Sequence, residues 1–273
     1  MHPDVFRIGP LTLHAYGAML TLSFVLGLLL ALRRAGRRGV AREHVIDLFQ
    51  IIILAAIIGA RILFVVFHLD LYRGRWWSML AVWEGGLTLY GGLLLAMGAS
   101  WLYLRLRRVP FLAMADVMAP SLGLGIMVTR VGCFLNGCCY GLPTEGPLGV
   151  HFPAGCEATE TARTILAHDH GRNLLDIPLS PAIHPAQLYA SLGGALILII
   201  LLLLDRRPRR PGFLFAGFLL LYGIHRFAVD QFRYYEEAMR VLGLSVNQWL
   251  SVGLVAAGLV LFAWIRRRRQ LPA

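Results

Sequence analysis

The sequence predicts an all-α, polytopic integral membrane protein: seven transmembrane helices with a small irregular periplasmic head. Three observations predict it. Hydrophobic residues make up 58% of the 273 and charged residues only 15%, against roughly half and a quarter in soluble domains. Apolar runs recur along the chain at about 20 residues, the length that crosses a bilayer as a helix. The basic residues cluster between those runs. A mean hydropathy of +0.65 also excludes a disordered chain.

The runs are read in order as Leu11–Leu32, Val45–Phe67, Trp83–Leu104, Phe111–Val128, Ala186–Leu204, Phe213–Val229 and Val246–Ile265. Arg33, Arg34, Arg37, Arg38 and Arg42 follow the first. Arg105, Arg107 and Arg108 follow the third, Arg206, Arg207, Arg209 and Arg210 the fifth, and Arg266 to Arg269 the seventh. All these clusters fall on one face, which the positive-inside rule makes cytoplasmic. The N-terminus is then outside and the C-terminus inside, as an odd number of spans requires. Met1-His2-Pro3-Asp4 carries no basic leader, and no small-residue cleavage site follows the first run, so the first span is expected to be retained. The chain reads as a single membrane domain over 1–273, with a head over 140–183 between spans four and five. No internal repeat is evident.

All 26 basic residues are Arg, and Lys is absent. That excludes lysine Schiff-base chemistry and phosphate binding by a P-loop lysine. Because the clusters flank apolar spans, the basic charge points to a membrane surface and not to nucleic acid.

Charges inside a membrane cost roughly 2.5–3.5 kcal/mol each even on gentle scales, so each needs a reason. Arg226 and Asp230 are four residues apart on one helical face. Arg61 lies in the outer part of span two, Arg130 follows span four and Arg233 ends span six. The four Arg are expected to converge at one depth, where guanidinium forks suit a phosphate. Asp116 lies near the cytoplasmic end of span four and reads as a packing residue. His14 and Tyr16 sit at the outer end of span one. His184 and Gln187 sit in His184-Pro185-Ala186-Gln187-Leu188-Tyr189, at the start of span five. Gly91 and Gly92 belong to a glycine-rich opening of span three, suited to close packing or to lining a cavity.

The four cysteines, Cys133, Cys138, Cys139 and Cys156, all fall on the outer side, where oxidation is possible. Spacing leaves a disulfide within the head open. No C-x-x-C occurs, so no metal site is expected.

These motifs meet a family at Arg130-Val131-Gly132-Cys133-Phe134-Leu135-Asn136-Gly137. The segment resembles the signature of the bacterial prolipoprotein diacylglyceryl transferases, Gly-Arg-x-Gly-Asn-Phe-x-Asn-Gly-Glu. His14-Ala15-Tyr16-Gly17, Gly59-Ala60-Arg61, Trp83-Glu84-Gly85-Gly86-Leu87, the His184–Tyr189 motif and Tyr222-Gly223-x-x-Arg226-Phe227 with Arg233 are similar to the family's other elements, in order. Five positions depart from the pattern. Tyr90 stands for the family's His, Cys133 for its Asn, Cys138 for its Glu, Asp230 for its usual Glu, and Ala190 for the Glu that commonly follows the His184–Tyr189 motif.

The resemblance implies transfer of a diacylglyceryl group from phosphatidylglycerol to the lipobox cysteine of preprolipoprotein signal peptides. A thioether forms and glycerol phosphate leaves. On this reading Arg130 and Arg226 grip the phosphate and Asp230 orients Arg226. Arg61 and Arg233 make auxiliary headgroup contacts, and Asn136 and Tyr16 donate hydrogen bonds. His184, Gln187, Gly91 and Gly92 line the substrate site, and Tyr90 or His14 takes the thiol proton. No cofactor is implied; membrane lipids and the cell inner membrane are. The residues alone leave open a transferase of another lipid or acceptor, a non-catalytic lipid-binding or transport protein, and a thiol redox protein using Cys138 and Cys139.

Overall fold

The computed structural model describes residues 4–8, 11–169, 173–207, 209–233 and 240–267. Arg172, Arg268 and Arg269 lie outside the described residues. In chain order the elements are β1 (Asp4–Ile8), β2 (Leu11–His14), α1 (Ala15–Ala35), α2 (Arg42–Phe67), α3 (Leu89–Leu106), α4 (Phe111–Asn136), β3 (Val150–His151), α5 (Glu157–Asp169), β4 (Ala182–Ile183), α6 (Ala186–Asp205), α7 (Phe213–Asp230), β5 (Arg240–Val241), β6 (Leu244–Ser245) and α8 (Val246–Arg267). Every helix but α5 is long and apolar enough to cross a membrane, seven among the described residues. The chain is a multi-pass membrane protein. The strands form three antiparallel pairs, β1 with β2, β3 with β4 and β5 with β6.

Two boundaries differ from the sequence reading. Span three begins at Leu89, not Trp83, because Gly85 and Gly86 take positive φ of 83° and 71° and break the chain after a short 3-10 turn over Val82–Glu84. Span four runs on to Asn136 instead of stopping near Val128. Arg130 therefore lies inside a helix and not after one.

The chain divides into two compact units, residues 31–117 and residues 1–30 with 118–273. In the first, α2 and α3 meet backbone to backbone. A Cβ built on Gly91 would fall 2.3 Å from the Gly59 carbonyl oxygen, and one on Gly92 would fall 2.7 Å from that of Ala56. Only glycine permits such an approach. Between these helices the chain makes three 3-10 turns, over Leu69–Tyr72, Trp76–Leu80 and Val82–Glu84. They leave Trp76, Trp77 and Trp83 exposed, the placement of an interfacial aromatic belt.

Asp116 behaves as the packing residue expected. It is fully buried and pairs with Arg38 at 3.3 Å. Pro120, four residues on, has no N–H to give the Asp116 carbonyl. Arg34 Nη1 fills that place, donating to Asp116 O at 3.1 Å and to Val117 O at 2.8 Å.

In the second unit α6 and α7 pack through Ile197, Leu201, Leu214 and Phe218, with Ala119 of α4. α1 is tied to α4 by Ser121 Oγ, which donates to Gly27 O at 2.8 Å. The head holds more regular structure than its composition suggested. α5 and the β3–β4 pair close on Phe152, Ala158, Ala162 and Ile183.

Candidate active site

In the unit of residues 1–30 and 118–273, α1, α6 and α8 begin at the end where α4 and α7 finish. Backbone bonds tie these ends together: Gly141 N donates to His184 O at 3.0 Å and Leu142 N to Phe232 O at 2.8 Å. Gly132 of α4 packs on Met19 and Tyr16 of α1. This end carries Tyr16, Arg130, Asn136, His184, Gln187, Arg226, Asp230 and Arg233.

On α7, Arg226 Nη2 and Asp230 Oδ1 lie 3.3 Å apart, as their i,i+4 spacing requires. Asp230 is fully buried at its carboxylate. Its other oxygen accepts from Ser245 Oγ at 2.5 Å. Ser245 is also the cap of α8: its Oγ accepts from Gln248 N at 3.1 Å, while Gln248 Oε1 accepts from Ser245 N at 2.8 Å. This reciprocal capping box fixes the hydroxyl that fixes the carboxylate that fixes Arg226. Ser245 and Gln248 escaped the sequence reading; the signal was Ser245-Val246-Asn247-Gln248 at the start of a span.

Arg130 sits in the last two turns of α4, where it lies within charge range of Cys139, Cys133 and Tyr222. His225 lies within charge range of both Arg130 and Arg226. Tyr16 lies within range of Arg130 and of Cys133, Cys138 and Cys139. Arg130 and Arg233 both bear on Cys139.

α4 ends in a Schellman closure. Gly137 takes φ +76°, its N–H donates to Phe134 O at 3.2 Å, and Cys138 N donates to Cys133 O at 3.1 Å. The closure folds residue 138 back over residue 133. Cys139 follows at φ +59°. The three sulfurs of Cys133, Cys138 and Cys139 thus lie within 4.8 Å of one another. Hydrogen bonds from Cys133 and Cys138 hold the Cys139 thiol well below its usual range; burial opposes them, and the Arg130 and Arg233 charges reinforce them. All four cysteines are free; Cys156, in the head, contacts Thr159 Oγ1 at 3.6 Å.

Several expected site residues have other employment. Gln187 is fully buried and donates from Nε2 to Cys138 O at 2.9 Å, so it holds the cysteine turn onto α6. His184 Nδ1 lies 3.1 Å from the Tyr189 hydroxyl, with Phe232 against the ring at 5.1 Å. His14 is exposed at the end of β2, one residue before α1, and Asn136 is exposed at the end of α4 beside Cys138.

Arg61 is only 5% exposed, and its donors go to the carbonyls of Met79 at 2.8 Å, Gly85, Gly86 at 3.2 Å and Ser78. The expected headgroup contact is therefore corrected to a structural clamp. Four of the five N–H groups of a guanidinium hold the 78–86 segment onto α2. Gly91 and Gly92 are likewise packing residues, buried against Gly59 and Ala56, and not a substrate surface. Tyr90, beside them, is 56% exposed on the first turn of α3.

His225 was also missed. A Cβ built on Gly193 of α6 would fall 2.1 Å from its ring. The signal was the pair Gly193-Gly194 inside an otherwise bulky run.

A family model described as prolipoprotein diacylglyceryl transferase matches residues 3–264. A phosphatidylglycerol–prolipoprotein diacylglyceryl transferase of Geobacter sulfurreducens is 32% identical over 99% of this chain and 97% of its own length. Proteins of the same name from Sodalis glossinidius and Verminephrobacter eiseniae are each 34% identical, over 97% and 99% of this chain and 93% and 95% of their own.

Proposed function

The chain belongs to the prolipoprotein diacylglyceryl transferase family, and from that premise we propose that it moves the diacylglyceryl group of phosphatidylglycerol onto the lipobox cysteine thiol of preprolipoproteins. The observation that carries this reading is the anchored Arg226–Asp230 pair, with Arg130 sharing its neighbour His225. Phosphatidylglycerol is a phosphate diester with one negative charge. The substrate thiolate attacks the glyceryl carbon that bears the phosphate oxygen. The C–S bond forms, the C–O bond breaks with its electron pair going to oxygen, and glycerol phosphate leaves. The leaving group gains charge as that bond breaks, so Arg130 and Arg226 stabilise the transition state more than the bound lipid.

The thiol proton must leave first, because the thiolate is the nucleophile. Imidazole is the side chain that takes a proton near neutral pH. His14, exposed at the mouth of α1 two residues before Tyr16, is the proposed acceptor. Tyr16, Asn136 and Arg233 line the headgroup path. The proposed setting is the cell inner membrane, with the N-terminus outside and the C-terminus cytoplasmic, and no nucleic acid takes part.

The test uses purified protein in detergent, phosphatidylglycerol and a lipobox peptide, read by peptide mass. The wild type is expected to add one diacylglyceryl group. Arg130→Ala and Arg226→Ala are each expected to slow transfer at least about a hundredfold, the usual cost of losing one oxyanion donor. Unchanged modification by either variant removes that Arg from the phosphate grip. No mass gain with bound phosphatidylglycerol refutes the proposed acceptor.

A further inference from the structure

We propose that Cys133, Cys138 and Cys139 form a binding site for one thiophilic d10 cation, held by three thiolates at the end of α4. The Schellman closure that ends α4 is what makes the cluster: Cys133 points from the last helical turns, and Gly137 returns Cys138 and Cys139 over it. The three sulfurs lie within 4.8 Å of each other. Thiolates at about 2.3 Å from a tetrahedral ion sit about 3.8 Å apart, so the cluster reaches ligand geometry by shifts of an ångström or less. Such shifts are side-chain rotations, because the backbone is already fixed. Gln187 clamps the Cys138 carbonyl at 2.9 Å, and the closure bonds hold the turn from the other side.

Two cations lie beside the cluster: Arg130 and Arg233 both fall within charge range of Cys139. Three thiolates around a divalent ion leave a net negative charge, and around a monovalent ion a larger one. Two guanidinium groups offset either. Beside the turn, the Gln187 Oε1 atom is buried with no hydrogen-bond partner, which leaves an amide oxygen able to accept from a metal-bound water. The cysteines are partly buried at one end of their unit, so an ion has access without the cluster being a bare surface feature. A donor set of sulfur alone selects Cu(I) or Zn(II) over Mg(II), Ca(II) or Mn(II). Binding replaces the thiol protons by the ion, releasing up to three of them. No electrons are exchanged, so no oxidant is required. The sequence rule overlooked the site because it seeks C-x-x-C; here the helix closure brings i and i+5 together, and the vicinal cysteine supplies the third sulfur.

The experiment uses the full chain in detergent, stripped of metal and kept reduced with a phosphine. Cd(II) is added while the ultraviolet thiolate charge-transfer band is followed. Parallel arms compete Zn(II) and Cu(I) against chromophoric chelators. One equivalent is expected to bind, and the tighter of the two arms assigns the ion. Cys133→Ser, Cys138→Ser and Cys139→Ser should each weaken binding by roughly a hundredfold or more, since even outer-shell changes cost tenfold to a hundredfold. Cys156→Ser should bind like the wild type. Should a variant fail to fold, the wild type still decides: bound Cd(II) must shield three thiols from alkylation and leave Cys156 reactive. No band, four equally reactive thiols under Cd(II), wild-type affinity in a folded Cys139→Ser, or a disulfide among the three in protein purified without reductant overturns the proposal.

Discussion

Gly91→Ala tests whether the glycines that open α3 serve packing or substrate. A Cβ at residue 91 would lie 2.3 Å from the Gly59 carbonyl oxygen and 2.5 Å from Leu63 Cβ, where ordinary contact starts at 3.4 Å. The shortfall is about 1.1 Å against a backbone atom that has no rotamer to escape into. The α2 and α3 axes must therefore separate by about that amount. Overpacking of this kind costs about 1–3 kcal/mol, and a radial gap of about 1 Å forfeits up to half the dispersion energy of the atoms beside it. Alanine's better helix propensity returns about 1 kcal/mol. The net expectation is a loss of about 1 kcal/mol, or roughly 2–4 °C in apparent melting temperature for a chain of this size. Gly98→Ala on the same helix is the control. Its Cβ meets nothing within 4 Å, so it should melt at or slightly above the wild type. The assay is thermal unfolding in detergent followed by helical circular dichroism, with transfer measured per folded molecule. If Gly91→Ala melts with Gly98→Ala, or if it keeps its stability and raises KM for phosphatidylglycerol, the close helix contact is not what the glycine is for.

Two further predictions follow from buried charge. Asp230→Asn keeps the shape of the side chain but not the ion pair with Arg226, so the guanidinium loses its fixed pose. Peptide-mass kinetics should show turnover falling roughly tenfold to a hundredfold, as for a misplaced catalytic group, with KM for the anionic lipid unchanged or lower because a negative charge has gone. A rise in KM with full turnover would refute the positioning role. Asp116→Ala leaves Arg38 without its carboxylate, and breaking a buried pair costs about 3–5 kcal/mol. The protein should melt several degrees lower while its transfer per folded molecule stays at the wild-type level.

What the sequence made legible divides along physical lines. The seven spans were readable because apolar length is a bulk property, and a boundary error of a few residues does not erase 20 apolar side chains. The Arg226–Asp230 pair was readable because i,i+4 geometry is local. The extension of α4 to Asn136 was not, because Gly132 and Thr129 look like helix-ending residues until Met19 and Ser23 of α1 are packed against them. Arg61 and Arg226 look alike in sequence, each an intramembrane Arg near a span's end. Only the fold shows that Arg61 is spent on backbone carbonyls. The cysteine cluster was hidden for the same reason: its members become neighbours only once a glycine closes the helix.

A diester phosphate carries one negative charge, and the monoester that leaves carries close to two, since its second pKa is about 6. On the proposed reading, guanidiniums held at the phosphate therefore gain most on the product side of the C–O cleavage, which is the condition for lowering the barrier and not only KM. Asp230, 3.3 Å from Arg226, gives that guanidinium a fixed position at the cost of one unit of its positive charge. Through Ser245 and the α8 cap it also converts the stability of a helix start into the fixed position of Arg226.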